Sequence, residues 1–174
     1  MSSNKFTLKF AAILALVFVI ASCSDKTVAA DSAKTQNVQP KTIHLEVYKS
    51  PTCGCCEKWL NHIHDSGFES KIHNFQDFSV IKEEQGIAPR YRSCHTAIST
   101  DGYTFEGHVP AKFIKQFLQA QHASDVIGLS VPAMPVGTPG MEVGEKFRPY
   151  QILLLKSDGS YEVYATIQSY KEQF

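Results

Sequence analysis

Three of the five cysteines in the chain fall within four positions, in the stretch S50-P-T-C-G-C-C-E-K-W59, and another, Cys94, lies far along the sequence. Thiols at this spacing admit three chemistries. Two structural disulfides would consume all four, but Cys55 and Cys56 are adjacent and Cys53 is two residues from Cys55. Three sulfurs then crowd one turn with a single distant partner, and two unstrained bridges are hard to draw. A thiol–disulfide enzyme would use Cys53 and Cys56 as a C-x-x-C pair, the first attacking as thiolate and the second resolving, which leaves Cys55 and Cys94 surplus. A metal site uses all four. Soft thiolates select Cu(I), Zn(II) or iron–sulfur clusters over Mg or Ca. Structural zinc usually takes two separated C-x-x-C pairs, a pattern absent here, so zinc is the weaker candidate. Sulfurs packed as C-x-C-C can bridge neighbouring Cu(I) ions in a multinuclear cluster.

The elements that must position these thiols are legible around them. I43-H-L-E-V-Y48 alternates apolar with polar and is β-branched at Ile43 and Val47, a strand running into the cysteines. Cys56, Trp59, Leu60 and Ile63 recur at helical spacing, with Gly67 placed to end the helix. A second strand is expected over Ser70 to Phe75, then a helix over Phe78 to Gln85 with Asp77 or Ser79 as cap and Gly86 as stop. Two short strands joined at Asp101-Gly102 fill the run from Cys94 to Val109. Pro110 opens a helix with an apolar face of Phe113, Ile114, Phe117 and Leu118.

This order, βαβ, helix, hairpin, helix, predicts an α/β protein of thioredoxin-like fold, a central mixed sheet flanked by helices. In that fold the reactive cysteines sit where the first strand meets the next helix, and its dipole favours a thiolate there. If Glu84 to Ile98 is the segment that leads into the third strand, Cys94 and His95 lie opposite C-G-C-C. Gly128 to Gly144, rich in Gly and Pro, reads as a long ordered loop, and Gln151 to Lys156 with Tyr161 to Gln168 as a C-terminal hairpin.

Weaker candidates surround the cysteines. Met134 and Met141 sit in the Gly/Pro loop, and thioethers suit Cu(I). His95 follows Cys94 directly and, on a strand, would point to the opposite face. His108 could lie beside the site as a ligand or behind one. His62 and His64 fall on different faces of the first helix and read as solvated. Trp59 reads as core, and Lys82, Glu83 and Glu84 as a solvated helix face.

At 174 residues and a formal net charge of zero, the chain fits one domain and carries no field that would draw nucleic acid or an anionic membrane. Lys5 and Lys9 flank an apolar run from Phe10 to Ile20, too short to span a bilayer, which reads as an export signal. The run ends in I20-A-S-C23, which resembles the bacterial lipoprotein processing box. That resemblance implies cleavage after residue 22, lipidation of Cys23, and sorting to the outer membrane through Ser24. The alternative is a plain secretory signal cut near Ala29 or Ala30. Either reading places the protein in the periplasm, where unprotected thiols tend to pair. Residues 23–41 read as a flexible tether, 42–168 as the folded domain and 169–174 as a C-terminal tail.

Four motifs, S-P-T-C-G-C-C-x-x-W, S-C-H-T-A, E-G-H-V-P and P-A-M-P-V-G-T-P-G-M-E, together resemble the CopG-like exported copper-resistance proteins over about Ile43 to Thr166. The resemblance implies a thioredoxin-like fold, copper held by the C-x-C-C cysteines and the distant cysteine, and a Cu(I)/Cu(II) redox role. It also implies periplasmic copper-handling proteins as partners. A lipid anchor is no general feature of that family, so attachment to the membrane rests on Cys23 alone.

Overall fold

The computed structural model describes residues 42–174; the expected signal (1–22), the expected tether (23–41) and the expected lipidation site Cys23 lie outside the described residues. Strand β1 (Ile43–Lys49) turns Leu45, Val47 and Lys49 inward by the alternation its sequence carries. Helix α1 (Gly54–Asp65) follows at once and buries Cys56, Trp59, Leu60 and Ile63. Strand β2 (Phe68–Asn74) pairs parallel with β1. It starts earlier than Ser70 because Phe68 belongs to the core, whereas Phe75 lies beyond its end and is exposed.

Helix α2 (Ser79–Glu84) is short, and the Asp77 carboxylate accepts from the Ser79 amide at 2.9 Å. A single 3-10 turn (Pro89–Tyr91) leads to β3 (His95–Ser99), which pairs antiparallel with both β1 and β4 (Thr104–Glu106). Helix α3 (Ala111–Gln119) buries Ala111, Phe113, Ile114 and Phe117. Strands β5 (Val126–Ser130), β6 (Tyr150–Lys156) and β7 (Tyr161–Ile167) complete one seven-stranded sheet in the order β2-β1-β3-β4-β5-β6-β7. The first four strands and three helices form the thioredoxin-like unit, and the hairpin β6–β7 is the expected C-terminal addition. Among the described residues no helix is long and apolar enough to cross a membrane.

Strand β5 is a correction to the sequence reading, which assigned Gly128 onward to the loop. Val126, Ile127 and Leu129 are good strand formers, and Gly128 is inside the strand for a steric reason. At φ +148° it lies so close to β4 that a Cβ would come within 1.8 Å of the Thr104 carbonyl oxygen. The glycine is a site of close backbone approach at a register shift.

The tail is docked: residues Tyr170–Gln173 form a 3-10 turn. Buried Gln173 accepts from the Tyr150 hydroxyl at 2.7 Å and donates to the Gly137 carbonyl at 2.9 Å, pinning the Gly/Pro loop. His62 is a further correction. Its Nε2 accepts the Ala111 amide at 3.0 Å and its ring packs edge-on against Phe174. Pro110 at the N-cap has no polar side chain to offer α3, and the imidazole supplies the missing acceptor.

Candidate metal centre

The centre forms where β1 hands over to α1. The turn after Lys49 closes with the Cys53 amide donating to Ser50 O at 3.2 Å, and Cys53 becomes the N-cap. Cys55 and Cys56 fall in the first helical turn, Cys56 turned wholly into the core. Cys53 and Cys56 are joined as a disulfide, with Cα atoms 5.3 Å apart, while Cys55 and Cys94 are free. Cys94 occupies a bend between the 3-10 turn and β3, the position the fold predicts for it.

Cys55 Sγ stands 3.5 Å from Cys53 Sγ, 4.0 Å from Cys94 Sγ and 3.9 Å from Met134 Sδ. The four cysteine sulfurs all lie within 4.8 Å of one another, and Cys94, His95 and His108 form a second group with the same property. Residues far apart in sequence thus converge on one half-buried patch of sulfur.

His108 is fully buried, and Nδ1 faces the Pro139 carbonyl at 2.7 Å. A carbonyl only accepts, so the proton is on Nδ1 and the lone pair is on Nε2, 3.1 Å from Cys94 Sγ. His95 departs from the expected alternation because Cys94 precedes the strand. Its Nδ1 is 3.4 Å from Cys94 Sγ, and its ring lies against Trp59 and edge-on to His108. His95 Nε2 is buried without a hydrogen-bond partner.

The Gly/Pro loop supplies the rim. Ala133, immediately before Met134, has φ +59°, the one non-glycine residue with positive φ among the described residues. Its carbonyl accepts from Ser93 Oγ, which ties the loop to the Cys94 bend. At Gly140 a Cβ would meet Cys55 O at 2.6 Å and Trp59 N at 2.8 Å, so only glycine lets the loop lie on the first turn of α1. Met141 supplies backbone to this loop, its amide donating to Thr138 O at 2.7 Å and its carbonyl accepting from Gly137.

Lys82, expected on a solvated face, is 6% exposed, and its Nζ reaches Glu106 Oε1 at 2.5 Å and Thr96 Oγ1 at 2.9 Å. Glu106 is fully buried and also accepts from the Ser93 amide. Both residues escaped the sequence reading. The available signal was the helical spacing of Lys82 from Phe78, whose ring the ammonium overlies at 4.7 Å.

Burial, and then the neighbouring Cys55 sulfur, pushes the Cys94 thiol up to about 12. Burial likewise lowers His62 and His108, and holds His95 well below the ordinary imidazole range. At neutral pH the metal-free centre therefore pairs a protonated Cys94 with a neutral His108. A soft cation that takes the sulfur must displace its proton.

These shifts predict a stability dome for the metal-free protein with its Cys53–Cys56 bond intact. The three histidines contribute fully above the unfolded imidazole pKa of about 6.5, and that contribution is lost as pH falls toward their depressed folded values. Cys94 contributes below the ordinary thiol value of 9.0 and loses its contribution as pH rises toward about 12. Denaturant midpoints measured across this range should fall on both sides, and a midpoint unchanged between about pH 7.5 and 5 would contradict the histidine burial.

Residues 91–141 match the family described as "Protein of unknown function, DUF411". That stretch carries Cys94, His95, His108, Met134 and Met141. Two solved structures are similar to the chain. One, of copper resistance protein CopG in form 2, is 37% identical with a TM-score of 0.67; the other, form 1, is 36% identical with a TM-score of 0.68. Each match covers 74% of this chain and 100% of the solved chain. No curated protein matches.

Proposed function

This chain belongs to the CopG-like family of copper-resistance proteins, and on that premise we propose that it binds Cu(I) through the thiolates of Cys53, Cys55, Cys56 and Cys94. The observation that carries the reading is the convergence of four cysteine sulfurs within 4.8 Å of one another. Ions bridged by Cys55 would form a multinuclear centre, because that sulfur stands between Cys53 and Cys94. Loading requires an external dithiol, which opens the Cys53–Cys56 bond by exchange, delivers two electrons and two protons and leaves as its own disulfide; the thiol protons then pass to solvent as the metal binds. His108 Nε2 and the Met134 thioether are the nitrogen and sulfur best placed to join the cysteines. His95 lines the buried side, and Met141 holds the loop that carries Met134.

The role proposed is copper tolerance in the periplasm, by sequestration, by transfer to other copper-handling proteins, or by Cu(I)/Cu(II) interconversion. Lipidation at Cys23 would tether the domain to the outer membrane through residues 23–41. Anaerobic titration of the fully reduced protein against a chromophoric Cu(I) chelator is expected to give more than one equivalent bound. Stoichiometry at background would sink the proposal.

A second reading has its own observation in favour. Cys53 and Cys56 are bonded at the N-terminus of α1, the arrangement of a thiol–disulfide oxidoreductase.

A further inference from the structure

Behind the sulfurs lies a polar cluster that the copper reading leaves unused. Glu106, at the end of β4, is 0% exposed, yet its carboxylate is filled on both oxygens. Oε1 accepts from Lys82 Nζ and from the Ser93 amide, each at 2.5 Å, and Oε2 accepts from Thr96 Oγ1 at 2.6 Å. A buried ion pair of this kind contributes little net stability compared with apolar residues of the same shape, so its use is better sought in what it holds.

What it holds is the residue before Cys94. Ser93 is gripped from three sides: its amide by Glu106, its hydroxyl by the Ala133 carbonyl, and its side chain by the space at Gly107, where a Cβ would come within 2.6 Å of it. The bend carrying Cys94 has no strand pairing of its own, since β3 begins only at His95. The bond from Glu106 is charge-assisted and comes from a strand paired on both sides. The same strand end leads directly to His108, whose Nε2 meets Cys94 Sγ. One rigid element thus sets both members of the Cys94–His108 contact.

We propose that Glu106, anchored by Lys82 and Thr96, is the positioning residue for Cys94, fixing the Ser93–Cys94 bend so that the distant sulfur faces Cys53, Cys55 and Cys56. The inference rests on the metal–thiolate reading of those four cysteines.

The test is a double-mutant cycle on the reduced protein, read by anaerobic titration with Cd(II), followed by its thiolate charge-transfer absorption, and with Cu(I). Glu106→Gln should weaken binding by about tenfold or more, the worth of one charge-assisted hydrogen bond. In a Cys94→Ser background the same substitution should change affinity by less than about twofold, because the sulfur it positions is gone. An equal loss in both backgrounds would mean a general structural role and would overturn the inference, as would unchanged binding by Glu106→Gln alone. If Glu106→Gln does not fold, Lys82→Met with Glu106→Leu replaces the pair by apolar groups and enters the same cycle. Wild-type protein that binds Cd(II) with the predicted coupling but not Cu(I) would overturn the copper reading and leave the positioning role standing. Wild-type protein that binds neither ion would overturn both.

Discussion

Replacing Cys94 by Ser is expected to weaken Cu(I) binding by more than about 100-fold, because even a partner outside the ligand set is typically worth about 10–100-fold in metal affinity. Cys94 is the one sulfur of the four that does not come from the β1–α1 junction, and it closes the side of the centre facing His108. A serine hydroxyl is a hard donor and a poor replacement for Cu(I). The fold should survive, since Cys94 sits in a bend and contributes to neither hydrophobic cluster. Competition titration of the reduced variant, with circular dichroism to check folding, makes the measurement. Unchanged affinity would remove Cys94 from the site and leave a centre confined to C-G-C-C.

That Cys94 could be placed from sequence at all reflects how local signals combine with topology. The alternation of β1 and the spacing of Cys56, Trp59, Leu60 and Ile63 each specify an element on their own, and the order of elements then brings Cys94 across from them. What stayed hidden depended on neighbours distant in sequence. Gly128 reads as a loop residue until the approach of Thr104 O is known. Lys82 reads as solvated until Glu106, on strand β4, is found beneath α2. His62 reads as solvated until the uncapped start of α3 is brought against it. The expectation that Cys94 and His95 face opposite ways failed for a different reason. It applied strand alternation one residue before the strand begins. In the first three cases the missed feature is a polar or backbone group whose partner is set by tertiary contact, which periodicity cannot encode.

Cys55→Ser separates the two chemistries that the C-G-C-C turn permits. A thiol–disulfide enzyme needs Cys53 and Cys56, already bonded to each other, and should retain disulfide exchange without Cys55. It could even improve, because Cys55 Sγ lies 3.5 Å from Cys53 Sγ and can divert a mixed disulfide. A copper–thiolate centre needs Cys55 more than any other residue, since its sulfur alone contacts Cys53, Cys94 and the Met134 thioether. Under that reading the variant should bind fewer Cu(I) equivalents and lose more than about 100-fold in affinity, by the same comparison with outer-sphere partners. Its effect on stability should stay within about 0.5 kcal/mol, as for other substitutions outside the core, so lost binding could not be blamed on unfolding. The decisive comparison runs both assays on one preparation: Cu(I) titration of the reduced variant, and turnover of a disulfide substrate by its metal-free form. Full copper capacity with retained exchange would overturn the copper assignment and favour the Cys53–Cys56 enzyme. Collapsed copper capacity with unchanged or absent exchange would leave a metal centre built around the one cysteine that a C-x-x-C enzyme does not require.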